Sequence, residues 1–429
     1  MFTPRINRCV SAKRILQRGF SATTAKRMTP QQMETIKLTI PALQQHGVAI
    51  TTLFYKNMLR DNPQLRNMFN ITHQITGEQP AALAHAVLAY AANIENPAVL
   101  LPVVSRIAHK HVSLGVTPEQ YAVVGENLLG AIQQTLGTAA TPAILDAWKA
   151  AYGQLAKIFI DFEGGLYENA QRTPGGWKGW RKFVLAATKQ ESDDIVSFHL
   201  SPVDGQALPA FKPGQFVSVR CYVPELKAYQ PRQYSLSDIP NQTHFQISVK
   251  REPGSHVQPA GRVSNILHRG LAVGSEVEVS MPFGDFVLDT TATTPVVLVS
   301  GGVGQTPMMT MLKTAIAQPT KRKVVYVHAA RNGRAHAMKG ELGAVMAARS
   351  DIDRAIFYEE TTDADRQGED YDHVGRVDMV KIKDTVLLPE ADYYICGPAP
   401  FIKAQCKALK DMGVADEKVH SELFGSPTE

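Results

Sequence analysis

The sequence predicts a multidomain chain: an all-α domain, an antiparallel β-barrel, and an α/β domain with a parallel sheet. Three observations lead to this prediction. Apolar residues recur at three- and four-residue spacing over 29–170, and they alternate with polar residues over 181–290. Over 291–429, buried strands alternate with helices. The length of 429 residues also suits about three domains.

Composition excludes several classes of protein. Apolar residues make up 44% and charged residues 20% of the chain, which is ordinary for a globular protein. The net charge of +5 comes from the first 28 residues, which hold seven basic residues and no acid, so no nucleic-acid partner is expected. No apolar run is long enough to span a bilayer, so we expect no stable membrane insertion. The four cysteines form no CxxC pair, which favours free thiols in a reducing compartment.

Residues 1–28 have the composition of a mitochondrial transit peptide. They are rich in Arg, Ser and Thr and contain no acidic residue. The segment predicts delivery to the mitochondrial matrix, with cleavage after Phe20. A disordered basic arm is the alternative interpretation. A second start at Met28 would give a cytosolic form.

The helical region, 29–170, has six segments with helical periodicity. They are 31–46, 48–60, 80–94, 97–112, 118–136 and 142–168. Thr117-Pro118 and Thr141-Pro142 are typical helix starts, with Thr as the cap and Pro in the first turn. Residues 171–180 follow, and their Pro and Gly residues predict a linker.

The barrel region, 181–290, contains six short alternating segments separated by Pro and Gly turns. They are FVLAATK, IVSFHLSP, GQFVSVRCYV, QYSLSDI, HFQISVKR and SEVEVSMP. Within them, Arg232-Gln233-Tyr234-Ser235 combines a cation suited to a diphosphate, a ring that can stack on a flat cofactor, and a hydroxyl for a ring nitrogen. A four-residue match of this kind is weak by itself.

The last region, 291–429, carries a glycine turn between a buried strand and a helix. The turn reads Gly301-Gly302-Val303-Gly304-Gln305-Thr306, and Pro307 stands where the common dinucleotide motif has glycine. Such turns admit a pyrophosphate at a helix N-terminus, although many are only structural. Cys396-Gly397 ends another buried strand of the same sheet, so Cys396 is expected near the reactive ring.

Together, RQYS, GGVGQT and CGP resemble the ferredoxin-reductase superfamily, which pairs an FAD-binding barrel with a pyridine-nucleotide domain. The resemblance implies FAD and NADH or NADPH as cofactors. It also implies that the terminal segment Glu422-Leu423-Phe424-Gly425 covers the flavin, whereas Phe424 could instead be a core aromatic or part of a frayed tail. Phe216 occupies a flavin-contact position where relatives often have Tyr.

Two histidines lie near the end of the fourth helical segment. They are two positions apart, so they point about 200° away from each other. His111 shares the apolar stripe of Val104 and Ala108, whereas His109 lies on the polar face. A lone inward histidine is more often a core residue than a ligand. A helical domain of about 140 residues with one such histidine nevertheless suits a haem pocket.

The helical region resembles a globin. Phe69 matches the phenylalanine that packs on haem, while Tyr55 and Gln79 match the two distal polar positions. A globin followed by a ferredoxin-reductase module resembles the flavohaemoglobin architecture, and the match runs from about residue 31 to the end. It implies haem b as the third cofactor, with His111 as the iron ligand.

The same resemblance assigns further residues. Tyr121 and Glu163 match the pair that hydrogen-bonds the proximal histidine, and Lys110 matches a position near the haem propionates. Packing would also explain Tyr121, and solvation would explain Glu163 and Lys110. Gly164-Gly165 follows Glu163, so a looser last helix is expected.

The implied activity is that of a nitric oxide dioxygenase, which converts NO and O2 to nitrate with NAD(P)H electrons passed through FAD to haem. Its small-molecule partners would be NO, O2 and NAD(P)H. A flavin reductase with a helical docking domain and an oxygen-binding or sensing globin are the alternatives. Arg331 could pair with the 2′-phosphate of NADPH or simply be solvated. A monomer is expected.

Overall fold

The computed structural model describes residues 28–255, 259–318 and 322–424. The chain divides into two compact units, one ending at Arg172 and the other beginning at Thr173. The predicted transit peptide lies outside the described residues except for Met28, and so does Gly425. Among the described helices, none combines the length and apolar character that crossing a bilayer requires.

The first unit is helical throughout its described part, which confirms the predicted all-α domain. Its α-helices are α1 (Pro30–Leu38), α2 (Ile40–Asp61), α3 (Ile71–Ile75), α4 (Glu78–Ala92), α5 (Leu101–Leu114), α6 (Pro118–Leu136) and α7 (Pro142–Arg172). Short 3-10 helices lie at Pro63–Asn67, Pro97–Leu100 and Gly137–Ala139.

The predicted break at residue 47 is wrong. The chain breaks at Thr39 instead, and α2 runs without interruption through Gly47. Pro41 in the first turn of α2 starts the helix there, because its fixed φ suits that position. A Cβ on Gly47 would lie 3.5 Å from the Cβ of Ala84 on α4, an ordinary contact distance, so the helix passes Gly47 close to α4.

Two further helix boundaries differ from the sequence expectation. The segment predicted as one helix over 97–112 is a 3-10 turn followed by α5, with Pro102 in the first turn of α5. The last helix, α7, continues through Gly164 and Gly165 as far as Arg172. The expected weakness at these glycines therefore does not interrupt it.

The second unit begins with the predicted antiparallel sheet. Its strands are β1 (Trp180–Gln190), β2 (Ile195–Pro202), β3 (Phe216–Val223), β4 (Ala228–Ser235), β5 (Phe245–Lys250) and β6 (Glu276–Ser280), in the order β4-β3-β6-β1-β2-β5. A bridge between Leu236 and Ile247 joins the two edges of the sheet and closes the barrel. Helix α8 (Arg262–Arg269) packs on this barrel. Sequence periodicity missed α8, because two helical turns are short against the surrounding strand pattern.

A parallel sheet completes the second unit. Its strands are β7 (Val296–Gly301), β8 (Val324–Ala330), β9 (Asp353–Tyr358), β10 (His373–Val374), β11 (Asp392–Gly397) and β12 (Val419–Leu423), in the order β10-β9-β8-β7-β11-β12. Helices α9 (Gln305–Ala317) and α10 (Lys339–Ala348) cover one face, and α11 (Lys383–Val386) and α12 (Ala399–Asp411) cover the other. The predicted α/β class is confirmed.

Candidate functional site

His111, Tyr121 and Glu163 meet inside the helical unit, although they come from three different helices. His111 Nδ1 lies 2.7 Å from Glu163 Oε1 and 3.0 Å from the hydroxyl of Tyr121. The Tyr121 hydroxyl donates to the same carboxylate oxygen at 2.6 Å. Glu163 is only 3% exposed, which excludes a solvated helix position.

Proton positions in this cluster follow from its electrostatics. Burial and the charge of Glu163 raise the pKa of Tyr121 far above its ordinary value, so its hydroxyl remains a donor. Glu163 is then the shared acceptor, and the Nδ1–H of His111 donates to it. This tautomer leaves a lone pair on Nε2, which is the form of imidazole that binds a metal.

Aromatic packing holds the cluster in place. The Phe159 ring stacks on Tyr121 with centroids 6.3 Å apart and lies 5.5 Å from the His111 ring. The Tyr152 hydroxyl donates to the carbonyl of Tyr121 at 2.6 Å. A Cβ on Gly125 would lie 2.5 Å from the Tyr152 ring, so only glycine leaves room for this bond. Tyr121 is therefore positioned by α6 and α7 together.

The neighbouring residues of α5 differ in part from expectation. His109 is half-buried and packs edge-on against Phe162, with centroids 6.3 Å apart, so its assignment to a purely polar face is wrong. The cause is Phe162 on α7, which packs against the side of α5 that carries His109. Lys110 is half-exposed.

Tyr55, Gln79 and Phe69 form a second group in the same unit. Tyr55 is buried on α2, and its hydroxyl hydrogen-bonds the side chain of Gln79 at the start of α4. The Phe69 ring lies edge-on to Tyr55, with centroids 5.6 Å apart. Burial raises the pKa of Tyr55 well above its ordinary value, so the hydroxyl stays protonated and can donate.

These residues fit a haem group. The neutral imidazole of His111 offers one nitrogen ligand whose other nitrogen is held by a carboxylate, as in many histidine-ligated metal sites. Tyr55 and Gln79 supply hydrogen-bond donors to this group, and Phe69 supplies an aromatic ring that could pack on the haem. Within the described residues, no cluster of three or more His, Cys, Asp or Glu side chains could hold a metal ion by itself.

In the barrel, the residues predicted to contact flavin lie on two paired strands. Phe216 on β3 is directly opposite Ser235 on β4, and Val217 is opposite Tyr234. Phe216 is buried, and its ring closely approaches Gly284. A small residue is therefore favoured at position 284. Gln233 is exposed and donates to Ser218 Oγ at 3.2 Å.

Arg232 is the residue in this group best suited to bind an anion. Burial lowers its pKa, and the positive charge of Arg262 on α8 lowers it further. An anionic ligand would stabilise two guanidinium groups whose positive charges act on each other, and a diphosphate is such a ligand. The sequence analysis missed Arg262.

The glycines of the loop after β7 have different structural roles. Gly302 is exposed and has φ +54°, a left-handed conformation that favours glycine. Gly304 is buried, and a Cβ there would lie 2.3 Å from the carbonyl oxygen of Cys396. Gly301 and Gly397 both lie against the ring of Phe401. The loop therefore sits directly on the end of β11.

Helix α9 starts at the loop, with Gly304 at its N-cap and no side-chain cap. Gln305 and Thr306 occupy its first turn and are buried, and Thr306 Oγ1 donates to the carbonyl of Val303 at 3.1 Å. A helix N-terminus that follows a glycine loop favours a phosphate.

The terminal segment is a strand that the sequence analysis did not predict. In β12, Glu422 is paired with Cys396 and Leu423 with Gly397. Cys396 is fully buried, and burial raises the pKa of its thiol. Phe424 is 41% exposed, which excludes a core aromatic. Arg331, after β8, pairs with Asp194 of the barrel at 3.1 Å, so it is not simply solvated.

The two units define a class of protein: a globin joined to an oxidoreductase module. Family models described as Globin, Oxidoreductase FAD-binding domain and Oxidoreductase NAD-binding domain match residues 52–159, 182–288 and 298–407. The chain belongs to the flavohemoprotein family, as the resemblance in its sequence predicted.

Relatives support this assignment over nearly the full length. The flavohemoprotein of Bordetella parapertussis is 52% identical over 400 residues, which is 93% of this chain and 99% of that protein. That of Rhizobium meliloti is 50% identical over 398 residues, 93% and 98% of the two chains.

Two solved structures are similar. The flavohemoglobin of Malassezia yamatoensis with bound FAD and heme gives a TM-score of 0.82 at 29% identity, covering 93% of this chain and all of that one. The FAD/NAD-binding domain of a Vibrio cholerae nitric oxide dioxygenase gives 0.51 at 33% identity, covering 57% of this chain and 98% of that one.

Proposed function

We propose that this protein is a nitric oxide dioxygenase that converts NO and O2 to nitrate at the expense of NAD(P)H. The observation that carries the proposal is the cluster of His111, Tyr121 and Glu163 in a chain that also contains FAD- and NAD-binding domains. A buried anionic partner makes an imidazole a stronger electron donor. A globin that only stores oxygen gains little from such a partner or from an attached reductase.

Different residues of this chain would hold the haem, the O2, the FAD and the nucleotide. When bound, haem, FAD and a nicotinamide supply the reaction with O2, the single-electron transfers and the hydride. His111 would offer Nε2 to iron while Glu163 accepts a hydrogen bond from its Nδ1–H. Tyr55 Oη, which remains protonated, would donate a hydrogen bond toward O2, and Gln79 orients that hydroxyl. Arg232 would neutralise the flavin diphosphate, and Gly302 would let the nucleotide approach the backbone.

The decisive experiment measures products as well as rates. Purified holoprotein supplied with NADH, O2 and NO should form about one nitrate per NO consumed. H111A should lose haem and NO consumption while it keeps FAD and NADH-dependent dye reduction, because its reductase module is intact. H109A serves as the matched control and should keep haem. Without a Soret band in the wild type, a reductase with a docking domain would replace the proposal. Haem without nitrate formation would leave an oxygen-binding globin.

We also propose that residues 1–28 direct the chain to the mitochondrial matrix, on the strength of their seven basic residues and lack of acid. A carboxyl-terminal fluorescent fusion should co-localise with a matrix marker. The same fusion lacking residues 1–27 should remain in the cytosol. Identical distributions of the two fusions would contradict the proposal.

A further inference from the structure

Two structural elements must be aligned for hydride to pass between nicotinamide and flavin. One is β4, which carries Arg232–Ser235 of the flavin motif, and the other is α9, which starts at the glycine loop. They belong to different domains of the second unit. Rate depends steeply on such alignment, because a misplacement of about 1 Å can cost about a hundred-fold.

Two direct bonds join these elements immediately beyond their motifs. The hydroxyl of Thr310 on α9 donates to the carbonyl of Leu236, the residue after β4, at 2.6 Å, and this bond is buried. One turn further along α9, Lys313 Nζ donates to Asp238 Oδ1 at 2.9 Å. Residues three apart on a helix share a face, so both bonds fix the same face of α9.

Lys313 is also the centre of a longer chain of ion pairs. It contacts Glu341 on α10 at 2.5 Å, Glu341 contacts Lys189 on β1 at 2.8 Å, and Lys189 contacts Glu191 at 3.1 Å. The charges alternate from Glu191 through to Asp238. This series of ion pairs crosses from the barrel to the nucleotide domain at Lys189–Glu341 and returns to the barrel at Lys313–Asp238. The two domains are therefore connected at two places.

Burial makes this network more than a surface feature. The side chains of Lys313, Glu341 and Asp238 are 20%, 21% and 27% exposed. Burial lowers the pKa of Lys313, but its bonds to Glu341 and Asp238 more than offset that effect, so the pKa lies above its ordinary value. A fully solvated ion pair contributes little, whereas one held between two carboxylates in a partly buried site resists separation.

We infer that Lys313, with Asp238 and Glu341, is a positioning group that sets the flavin strand against the nucleotide-binding helix for hydride transfer. None of the three belongs to the flavin or nucleotide motif. Their effect is therefore on the alignment of two bound cofactors, not on the binding of either one. The inference depends on the FAD- and NAD-binding domains and is independent of the chemistry proposed for NO.

A charge swap tests this inference in the full-length holoprotein. K313D places like charges beside Asp238 and Glu341. The double variant K313D/D238K restores an opposite pair with position 238, while the introduced carboxylate still faces Glu341. K323D is the matched control, because Lys323 pairs with Asp353 at 2.8 Å within the nucleotide domain. D238N is a milder variant that removes the negative charge of the pair and keeps the size of the side chain, although its amide oxygen can still accept a hydrogen bond from Lys313.

Two measurements report on positioning. Anaerobic stopped-flow gives the rate of flavin reduction at saturating NADH, without NO. Hydrogen exchange of 236–239 and 305–313 reports the contact directly. In K313D, flavin reduction should slow about ten-fold, with FAD content and the NADH Kd unchanged and with faster exchange in both segments. D238N should slow about three-fold.

The double variant decides between positioning and simple loss of structure. Partial recovery, to within about three-fold of the wild-type rate and with protection from exchange regained in 236–239, supports the inference. A K313D rate equal to that of K323D would overturn it. A double variant no faster than K313D would also overturn it, and if K313D does not fold, a wild-type rate in D238N has the same consequence.

Discussion

Lowering the pH should selectively destabilise the nucleotide domain, because two histidines are buried in it side by side. His328 on β8 and His336 in the following loop are 0% and 2% exposed, and their ring centroids are 4.7 Å apart. His328 Nδ1 bonds Ser300 Oγ at 2.8 Å, and His336 Nδ1 bonds the Tyr358 hydroxyl at 2.9 Å. Among the described residues, neither Nε2 atom has a hydrogen-bond partner.

The direction and size of the effect follow from proton linkage. Burial lowers the pKa of His336 to about 3, and burial together with the nearby His336 lowers the pKa of His328 well below its ordinary value. Below pH 6.5 the unfolded chain therefore binds protons that the folded chain does not, and stability falls as the pH falls. Between pH 7 and pH 5, protonation of His336 on unfolding should cost the folded domain about 2 kcal/mol, and His328 should add to this loss in the same direction. That is a large share of the free energy of unfolding of a typical domain, which is about 5–15 kcal/mol.

Urea denaturation of the full chain, read by pulse proteolysis and mass spectrometry of nucleotide-domain peptides, measures this stability at pH 7, 6 and 5. H336Q retains a polar group for Tyr358 but removes one titrating site. About half of the loss of folding stability between pH 7 and pH 5 should therefore disappear in this variant. H85Q is the control, because His85 is exposed on the helical unit. A pH dependence in H336Q as steep as in the wild type would refute the reasoning.

Two further predictions concern the candidate sites. Y55F should release O2 about ten-fold faster, because one hydrogen bond to the bound O2 is lost. Stopped-flow measurement of O2 dissociation checks this. An unchanged dissociation rate would mean that Tyr55 does not face the ligand. G304A should weaken NADH binding at least about ten-fold while FAD is retained, since the loop must move away from the Cys396 carbonyl. Equilibrium titration checks this against G343A, whose Cβ would meet nothing within 4 Å; wild-type affinity in G304A would place the nucleotide elsewhere.

The fold was largely predictable, because its three regions differ in apolar periodicity. What the sequence did not reveal were features set by contacts between distant elements. Gly47 looks like a helix stop, yet it lies inside α2 where that helix packs on α4. Strand β12 has a weak pattern, since as an edge strand it pairs only with β11 among the described strands. Helix α8 is too short for its periodicity to stand out from neighbouring strands.

The candidate site shows the same limit. Family resemblance named His111, Tyr121 and Glu163, but nothing local to residue 163 indicates that its carboxylate is buried or that it serves two donors. Arg331 is a residue for which the sequence suggested a ligand contact and the structure shows a protein partner. Its sequence position suggested a phosphate contact, whereas its carboxylate partner, Asp194, lies 137 residues away in the barrel. Such pairings depend on how the domains pack, and no spacing rule predicts them.

Comparison of three histidines explains why only one is suited to chemistry. His111, His328 and His336 each have Nδ1 held by a neighbouring side chain, so anchoring alone does not distinguish them. The two histidines of the nucleotide domain are anchored by neutral hydroxyls and enclosed on every side, so their rings can neither donate to a ligand nor take up a proton without cost. His111 is anchored by a carboxylate and its side chain is 32% exposed. An anionic partner strengthens the lone pair on Nε2, and exposure lets a ligand reach it. Both conditions favour metal ligation, and among these three residues only His111 satisfies both.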